Sequence, residues 1–184
     1  MWLLNLLKKL KWKIRGEVST DELIKRGLKV GGKFSRQQGC IIDESHCWLI
    51  SIGDRVTLAP RVHILAHDAS TKIHLNYTKI GRVTIGDNVF IGADSTILPN
   101  VIIGNNVIIG AGSIVTKDIP ENSLAIGNPA RVVGKTEEYV KKNEIEMENR
   151  PVFDGSYTLR NPNLSVEQKE EMIKDLETGI GYVE

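Results

Sequence analysis

The stretch IIGNNVIIGAGSIV, residues 102–115, decides the fold of this chain. Its glycines are too frequent for a helix, yet Ile103, Ile109 and Val115 follow one another at a fixed six-residue interval. Because strand side chains alternate, Val107 and Ile109 point the same way, and the Gly and Asn residues between such pairs favour a corner. Each six-residue unit is therefore predicted to be a very short strand followed by a corner.

The same spacing recurs over much of the chain. Short strands with frequent corners cannot form a flat sheet, and one unit cannot bury its own apolar face, so several units must stack. Hexapeptide repeats are a signature of β-helices. The sequence thus predicts an all-β solenoid, a parallel β-helix, in which three units per turn would place Phe90 beside Ile108. The inward aliphatic slot is filled by Ile52, Leu58, Ile64, Ile85, Ile91, Ile97, Ile103, Ile109 and Val115.

The outward slot of the repeat is unusually apolar. Phe90, Ile102, Ile108 and Ile114 are large and apolar. With three units per turn, Phe90 and Ile108 would stack on the same outer face as an exposed strip, which monomeric proteins rarely carry. We expect an oligomer that buries the strip; a terminal helix that covers it is the alternative.

The repeat is interrupted twice, after Ile64 and at Pro120. Regular phase returns near Val83, so an excursion loop is expected near 68–80. Functional residues gather on loops held by rigid scaffolds. The expected segments are an N-terminal helical segment (1–26), the β-helix (27–133) and a C-terminal helical and loop extension (134–184). The candidate residues of the substrate-side loop are Asp68, Asn76 and Tyr77.

Composition narrows the class of protein. The net charge of +1 gives no global indication of nucleic-acid binding, and none is expected. The two cysteines lack CxxC spacing, which favours a cytoplasmic location. Residues 1–15 place leucines on one helical face beside several lysines. This segment either lies peripherally on the inner face of a membrane or packs on protein.

One histidine is placed for chemistry. His67 occupies a corner slot where the repeat gives way to the loop, so we expect it to border a cleft and act as a general base. The alternatives are a surface polar residue, or a zinc site formed by His63, His67 and His74. The spacing gives no convergent cage for zinc within one chain.

Three runs resemble the hexapeptide-repeat acyltransferases, and more closely their maltose/galactoside-type and polysaccharide-modifying sugar O-acetyltransferases. The runs are ISIGDRVTLAPRVHILAHD, VTIGDNVFIGADSTILPNVIIGNNVIIGAGSIVTKDIP and AIGNPARVVGK, within 50–135. The resemblance implies a left-handed parallel β-helix of triangular section in a homotrimer. It also implies acetyl transfer from acetyl-CoA to a hydroxyl of a sugar or glycan precursor, with His67 as the base and no metal required.

The resemblance further implies a set of acetyl-CoA contacts. The backbone N–H near Ala93 would stabilise the oxyanion. The turn positions Ala111, Thr116 and Lys117 would line the CoA arm, and the cations of Arg131 and Lys135 would meet its phosphates. Segment 20–48, where sugar acetyltransferases place acceptor-binding residues, matches poorly.

Other activities remain open on the same scaffold. They are amino-sugar N-acetylation, serine acetylation, a trimeric zinc enzyme of the γ-carbonic-anhydrase type, and a non-catalytic scaffold.

Overall fold

The computed structural model describes residues 17–184, and the predictions made for residues 1–15 lie outside this range. The chain divides into two compact units, one ending at Thr136 and the other formed by Glu137–Glu184. Helix α1 (Thr20–Lys25) begins after Ser19, whose side chain accepts a hydrogen bond from the Glu22 N–H.

Three sheets of parallel strands form the body of the first unit, and the chain visits them in rotation. We call this part the coil. The first sheet contains β1 (Lys29–Val30), β4 (Ile50–Ile52), β9 (Val83–Ile85) and β12 (Val101–Ile103). The second contains β2 (Ser35–Arg36), β5 (Thr57–Leu58), β10 (Phe90–Ile91), β13 (Ile108–Ile109) and β15 (Ser123–Ile126). The third contains β3 (Ile41–Ile42), β6 (His63–Ile64), β11 (Thr96–Ile97) and β14 (Ile114–Val115).

The length of a turn changes along the coil. Phe90 pairs with Ile108, which confirms the prediction of three six-residue units per turn. Thr57 pairs with Phe90, so the preceding turn is much longer because it includes the excursion. Ile41 pairs with His63, which makes the first turn longer than three units as well. The regular repeat therefore describes only the later turns.

The core is the aliphatic column predicted from the repeat. Its side chains are at most 3% exposed, and burial of each contributes about 1.5–3 kcal/mol. The inward Ser95 and Ser113 are also buried, and both hydroxyls donate to the Gly110 carbonyl. The column consists of Ile52, Leu58, Ile64, Ile85, Ile91, Ile97, Ile103, Ile109 and Val115.

Close stacking of the turns requires glycine at the corners. A Cβ atom on Gly92 would overlap the backbone nitrogen of Ala111 in the next turn. Such a contact cannot be relieved by moving a side chain. The glycines of the repeat thus permit backbone to lie against backbone.

The chain leaves the coil between Ala66 and Gly81, whose backbone groups form a 3.0 Å hydrogen bond. The excursion starts with β7 (His67–Asp68) and ends with β8 (Lys79–Ile80), which pair antiparallel. Between them lie a 3-10 turn (Ala69–Thr71) and helix α2 (Lys72–Leu75). The excursion is thus a closed hairpin and not an open loop.

After β15 the chain turns back as β16 (Arg131–Lys135), antiparallel to β15. Helix α3 (Thr136–Met147) follows.

The second unit contains β17 (Val152–Phe153), a 3-10 turn (Gly155–Tyr157), helix α4 (Val166–Asp175) and β18 (Tyr182–Val183). Ser165 and Gln168 form a capping box at the start of α4. The C-cap of this helix is Leu176. Among residues 17–184, no helix combines the length and apolar character needed to span a bilayer.

Candidate active site

The candidate site is organised by Asp43, a buried carboxylate directly after β3. Its Oδ1 accepts hydrogen bonds from the N–H groups of Ser45 and His46, both at 3.0 Å. Its Oδ2 accepts the Ala66 N–H at 2.9 Å. One carboxylate therefore fixes the turn that follows β3 and the point where the chain leaves the coil.

His67 is the next residue along the chain from that point. Its Nδ1 lies 2.5 Å from Asp43 Oδ2, and its side chain is 35% exposed. Since an ionised carboxylate can only accept a hydrogen bond, we assign the proton of this contact to Nδ1. The other ring nitrogen, Nε2, then carries a lone pair and can accept a proton.

The electrostatics of Asp43 favour this assignment. Burial alone would raise the pKa of its carboxyl. The hydrogen bonds from His67 and Ala66, with the nearby imidazole charge, outweigh burial and hold the pKa below its ordinary value. The carboxylate is therefore anionic near neutral pH.

Two further rings stand beside His67. The His46 ring lies 5.2 Å from the His67 ring and 5.4 Å from the Trp48 ring, measured between centroids. Cys47 between them points into the core, whereas Trp48 is 54% exposed. The 3-10 turn Cys47–Leu49 thus places the exposed Trp48 indole beside the His46 ring, which in turn lies beside the His67 ring.

The three loop candidates have different environments. Asp68 forms a 2.6 Å ion pair with Lys79 and accepts the Ser70 N–H, and these contacts lower the pKa of its carboxyl. Asn76 ends α2 in the left-handed conformation, with φ of 59°. Tyr77 is 78% exposed. Asp68 therefore closes the hairpin, and Tyr77 leaves its ring free at the surface.

Ala93 and Ala111 occupy one corner of the coil, in successive turns between the second and third sheets. The Ala93 carbonyl accepts the Gly112 N–H at 2.7 Å. Within residues 17–184, the Ala93 N–H donates to no other group. His67 lies at a different corner, after β6, and one chain does not bring it beside Ala93.

The remaining candidates for contact with CoA form two groups, each with at least one cation. Thr116 and Lys117 are exposed after β14, at the same corner of the coil as His67 but two turns away. Arg131 and Lys135 are exposed at the two ends of β16. Both groups can therefore offer cations to an anionic ligand.

Asp43 and His46 were missed by reasoning from the sequence. The first turn is longer than three six-residue units, so a count in sixes does not align residues 41–43 with the later repeats. The pairing of β3 with β6 was therefore not predicted. The zinc hypothesis also named different residues. The group able to hold a metal ion in the described part of the chain is Asp43, His46 and His67, without His63 or His74.

A known family of transferases matches the later turns of the coil. The bacterial transferase hexapeptide (six repeats) family matches residues 82–117. The chain belongs to this family of hexapeptide-repeat transferases and is an acyltransferase of that class.

Particular relatives support the assignment. Protein CapG of Staphylococcus aureus is 42% identical over 143 residues, which cover 74% of this chain and 83% of CapG. The galactoside O-acetyltransferase of Escherichia coli K12 is 40% identical over 98 residues, covering 50% of this chain and 46% of that protein. The crystal structure of a maltose O-acetyltransferase from Clostridium difficile 630 has a TM-score of 0.53 and 31% identity, covering 71% of this chain and 84% of that one.

Proposed function

We propose that this protein transfers the acetyl group of acetyl-CoA to a hydroxyl of a sugar or glycan precursor, with Asp43 and His67 acting together. The proposal rests on the 2.5 Å contact between Asp43 Oδ2 and His67 Nδ1. The names of the galactoside and maltose relatives support acetyl transfer and a sugar acceptor.

The contact between Asp43 and His67 supports the following proton path. Asp43 holds the Nδ1–H of His67, so Nε2 accepts the proton of the acceptor hydroxyl as its oxygen attacks the thioester carbonyl. The carbon–sulfur bond then breaks, and the imidazolium returns the proton to the departing CoA sulfur. The products are the acetyl ester and the CoA thiol. Asp43 stays anionic throughout and stabilises the imidazolium by its charge.

The remaining candidate residues suit the binding of acetyl-CoA, the proposed acetyl donor. The N–H of Ala93, which has no partner among residues 17–184, can donate to the oxyanion that develops on the thioester carbonyl. Ala111 continues this corner into the next turn with a side chain too small to obstruct a narrow arm. Thr116 and Lys117 line the other corner, and the cations of Arg131 and Lys135 suit the phosphates of CoA.

A trimer would complete this site. Within one chain His67 and Ala93 lie at different corners, so the groove between two neighbouring coils is where the base of one chain can meet the N–H of another. The apolar outward residues Phe90, Ile102 and Ile108 supply a surface for such contact. We further propose that the coil is left-handed, as the family resemblance implies, and that the protein works in the cytoplasm, where acetyl-CoA is available.

A thiol-release assay tests the proposal. Purified protein is incubated with acetyl-CoA and, in separate reactions, with monosaccharides, oligosaccharides, nucleotide sugars, amino sugars and serine. We expect thiol release that depends on an acceptor with a sugar hydroxyl, and mass spectrometry should find an O-acetyl ester. Turnover with serine alone, or with the amine of an amino sugar alone, would reject this acceptor class. Absence of both acetyl-CoA binding and turnover would reject the proposal as a whole.

A further inference from the structure

We propose that Asp43, His46 and His67 form a binding site for a divalent transition metal ion of the zinc class, and that the bound ion switches off the base. The donor atoms of these three side chains all lie within 4.8 Å of one another. Asp43 Oδ2 is 2.5 Å from His67 Nδ1, and Asp43 Oδ1 is 3.9 Å from His46 Nδ1. Acetyl transfer requires the first contact and gives no role to the second.

His46 carries the unexplained atom. Its Nδ1 is buried, and it has no hydrogen-bond partner within the described residues. A buried polar atom without a partner is unfavourable, so it calls for an explanation. The His46 ring lies beside two other rings, with centroids 5.2 Å from His67 and 5.4 Å from Trp48. The turn that carries it is tied to the carboxylate of Asp43.

The donor set identifies the kind of ion. Two imidazole nitrogens and one carboxylate oxygen suit Zn²⁺, Co²⁺ or Ni²⁺ and are a poor set for Mg²⁺ or Ca²⁺, which prefer oxygen ligands. Bonds of about 2.0–2.2 Å in a tetrahedron separate the ligand atoms by about 3.4 Å. With Asp43 Oδ2 as the carboxylate ligand, its contact with His67 Nδ1 would open by roughly 1 Å to reach this separation. Both imidazoles are partly exposed, so water can fill the fourth position.

Binding of the ion has a direct consequence for the base. Metal coordination needs the lone pair on His67 Nδ1, so the ring proton moves to Nε2. Nε2 then donates a hydrogen bond and can no longer accept the proton of an acceptor hydroxyl. The ion is therefore an inhibitor that competes with the active tautomer, and not a cofactor. This second step rests on the proposed acetyl transfer, whereas the binding step does not.

Metal titration of the full-length protein tests the binding step. Protein stripped with EDTA and dialysed is titrated with Co²⁺, whose visible absorption reports tetrahedral coordination, and with Zn²⁺ by calorimetry. We expect one ion per chain, and His46→Gln should weaken the affinity at least about tenfold. His63→Gln is the matched control, because His63 lies on the outward side of β6 and outside the cluster; it should bind as the unchanged protein does. His46→Phe keeps a ring between His67 and Trp48 and replaces His46→Gln if that variant fails to fold.

Several results would overturn the inference. Equal metal affinity in His46→Gln and His63→Gln would place the ion elsewhere. Purified protein that already holds one zinc per chain and loses turnover when stripped would make the ion a cofactor. The inhibitory step is tested by adding Zn²⁺ to the thiol-release assay, with each rate divided by the metal-free rate of the same protein. Zn²⁺ should suppress thiol release by the unchanged protein at concentrations that leave the His46→Gln rate largely intact. Absence of turnover in every sample would refute the proposed function and leave the binding result standing.

Discussion

The carboxylate of Asp43 and the imidazole of His67 meet at 2.5 Å, although they lie 24 positions apart in the chain. The pairing of β3 with β6 creates this contact, because it sets Ile42 beside Ile64 and brings both chain segments to the same corner. Asp43 is buried and already accepts three backbone N–H groups, which fix its direction. The coil thus supplies a rigid carboxylate, and His67 supplies a partly exposed nitrogen.

We expect Asp43→Asn to lower kcat by about 100-fold to 10,000-fold with a smaller effect on KM. An amide that keeps its oxygen on Ser45 and His46 presents its NH₂ group to His67, which forces the proton onto Nε2. The same NH₂ group faces the Ala66 N–H, so two hydrogen-bond donors meet without an acceptor. The free energy of unfolding should therefore fall by about 1–3 kcal/mol. Steady-state kinetics and urea unfolding measure the two effects.

Asp54→Asn is the control for this substitution, because Asp54 is an exposed corner residue that also accepts a backbone N–H. It should leave kcat within about twofold, as expected for a surface change. Full turnover by Asp43→Asn would mean that the carboxylate does not set the tautomer of His67.

A second prediction concerns the stacking of turns. Gly92→Ala should destabilise the coil by about 1–3 kcal/mol, because its Cβ would meet the backbone of Ala111. Gly155→Ala adds the same atom where no other part of the described chain lies within 4 Å, so it should be close to neutral. Chemical unfolding followed by circular dichroism gives both values. Equal stability of the two variants would show that the turns can separate without cost.

The exposed apolar strip gives a third prediction. Phe90 pairs with Ile108 on the outside of the second sheet and is 44% exposed. Phe90→Glu should convert a trimer into monomers at micromolar concentration while the far-ultraviolet dichroism stays unchanged. Multi-angle light scattering measures the mass, and Leu159→Glu, at an exposed apolar side chain of the second unit, is the control. A monomeric unchanged protein, or a trimeric Phe90→Glu variant, would contradict the oligomer.

Acid should weaken one link between turns. Asp94 accepts hydrogen bonds from Arg61 Nε and Nη2, both at 2.6 Å, and these bonds hold the pKa of its carboxyl below the ordinary value. Because the pKa of Asp94 is lower in the folded protein than in the unfolded chain, the ion pair stabilises the fold fully above about pH 4, the ordinary carboxyl range. This stabilisation is lost as the pH falls through the pKa of the folded protein. The Tm difference between the unchanged protein and Asp94→Asn should therefore shrink between pH 7 and pH 3. It should be small throughout, because solvent screens both exposed groups; a difference that grows on acidification would contradict the sign.

The sequence predicts the regular part of this fold well and the site only in part. The pairing of Phe90 with Ile108 follows from the six-residue period once three units are assigned to each turn. His67 was predicted to be the base because the period fails there, and its imidazole contacts Asp43 in the structure. Asp43 and His46 were not found, because the first turn is longer than three units and their positions follow from strand pairing with β6 and not from spacing. The closure of the excursion by β7 and β8 also escaped prediction, since these very short strands carry no periodic signal.

Whether His67 is the proton acceptor is tested most directly by thiol release from acetyl-CoA in His67→Ala, with His63→Ala as control and CoA affinity measured by calorimetry. We expect His67→Ala to lose at least about 100-fold in kcat while it keeps its CoA affinity and oligomeric mass, and His63→Ala to remain active. Near-normal turnover by a folded His67→Ala variant would contradict this role.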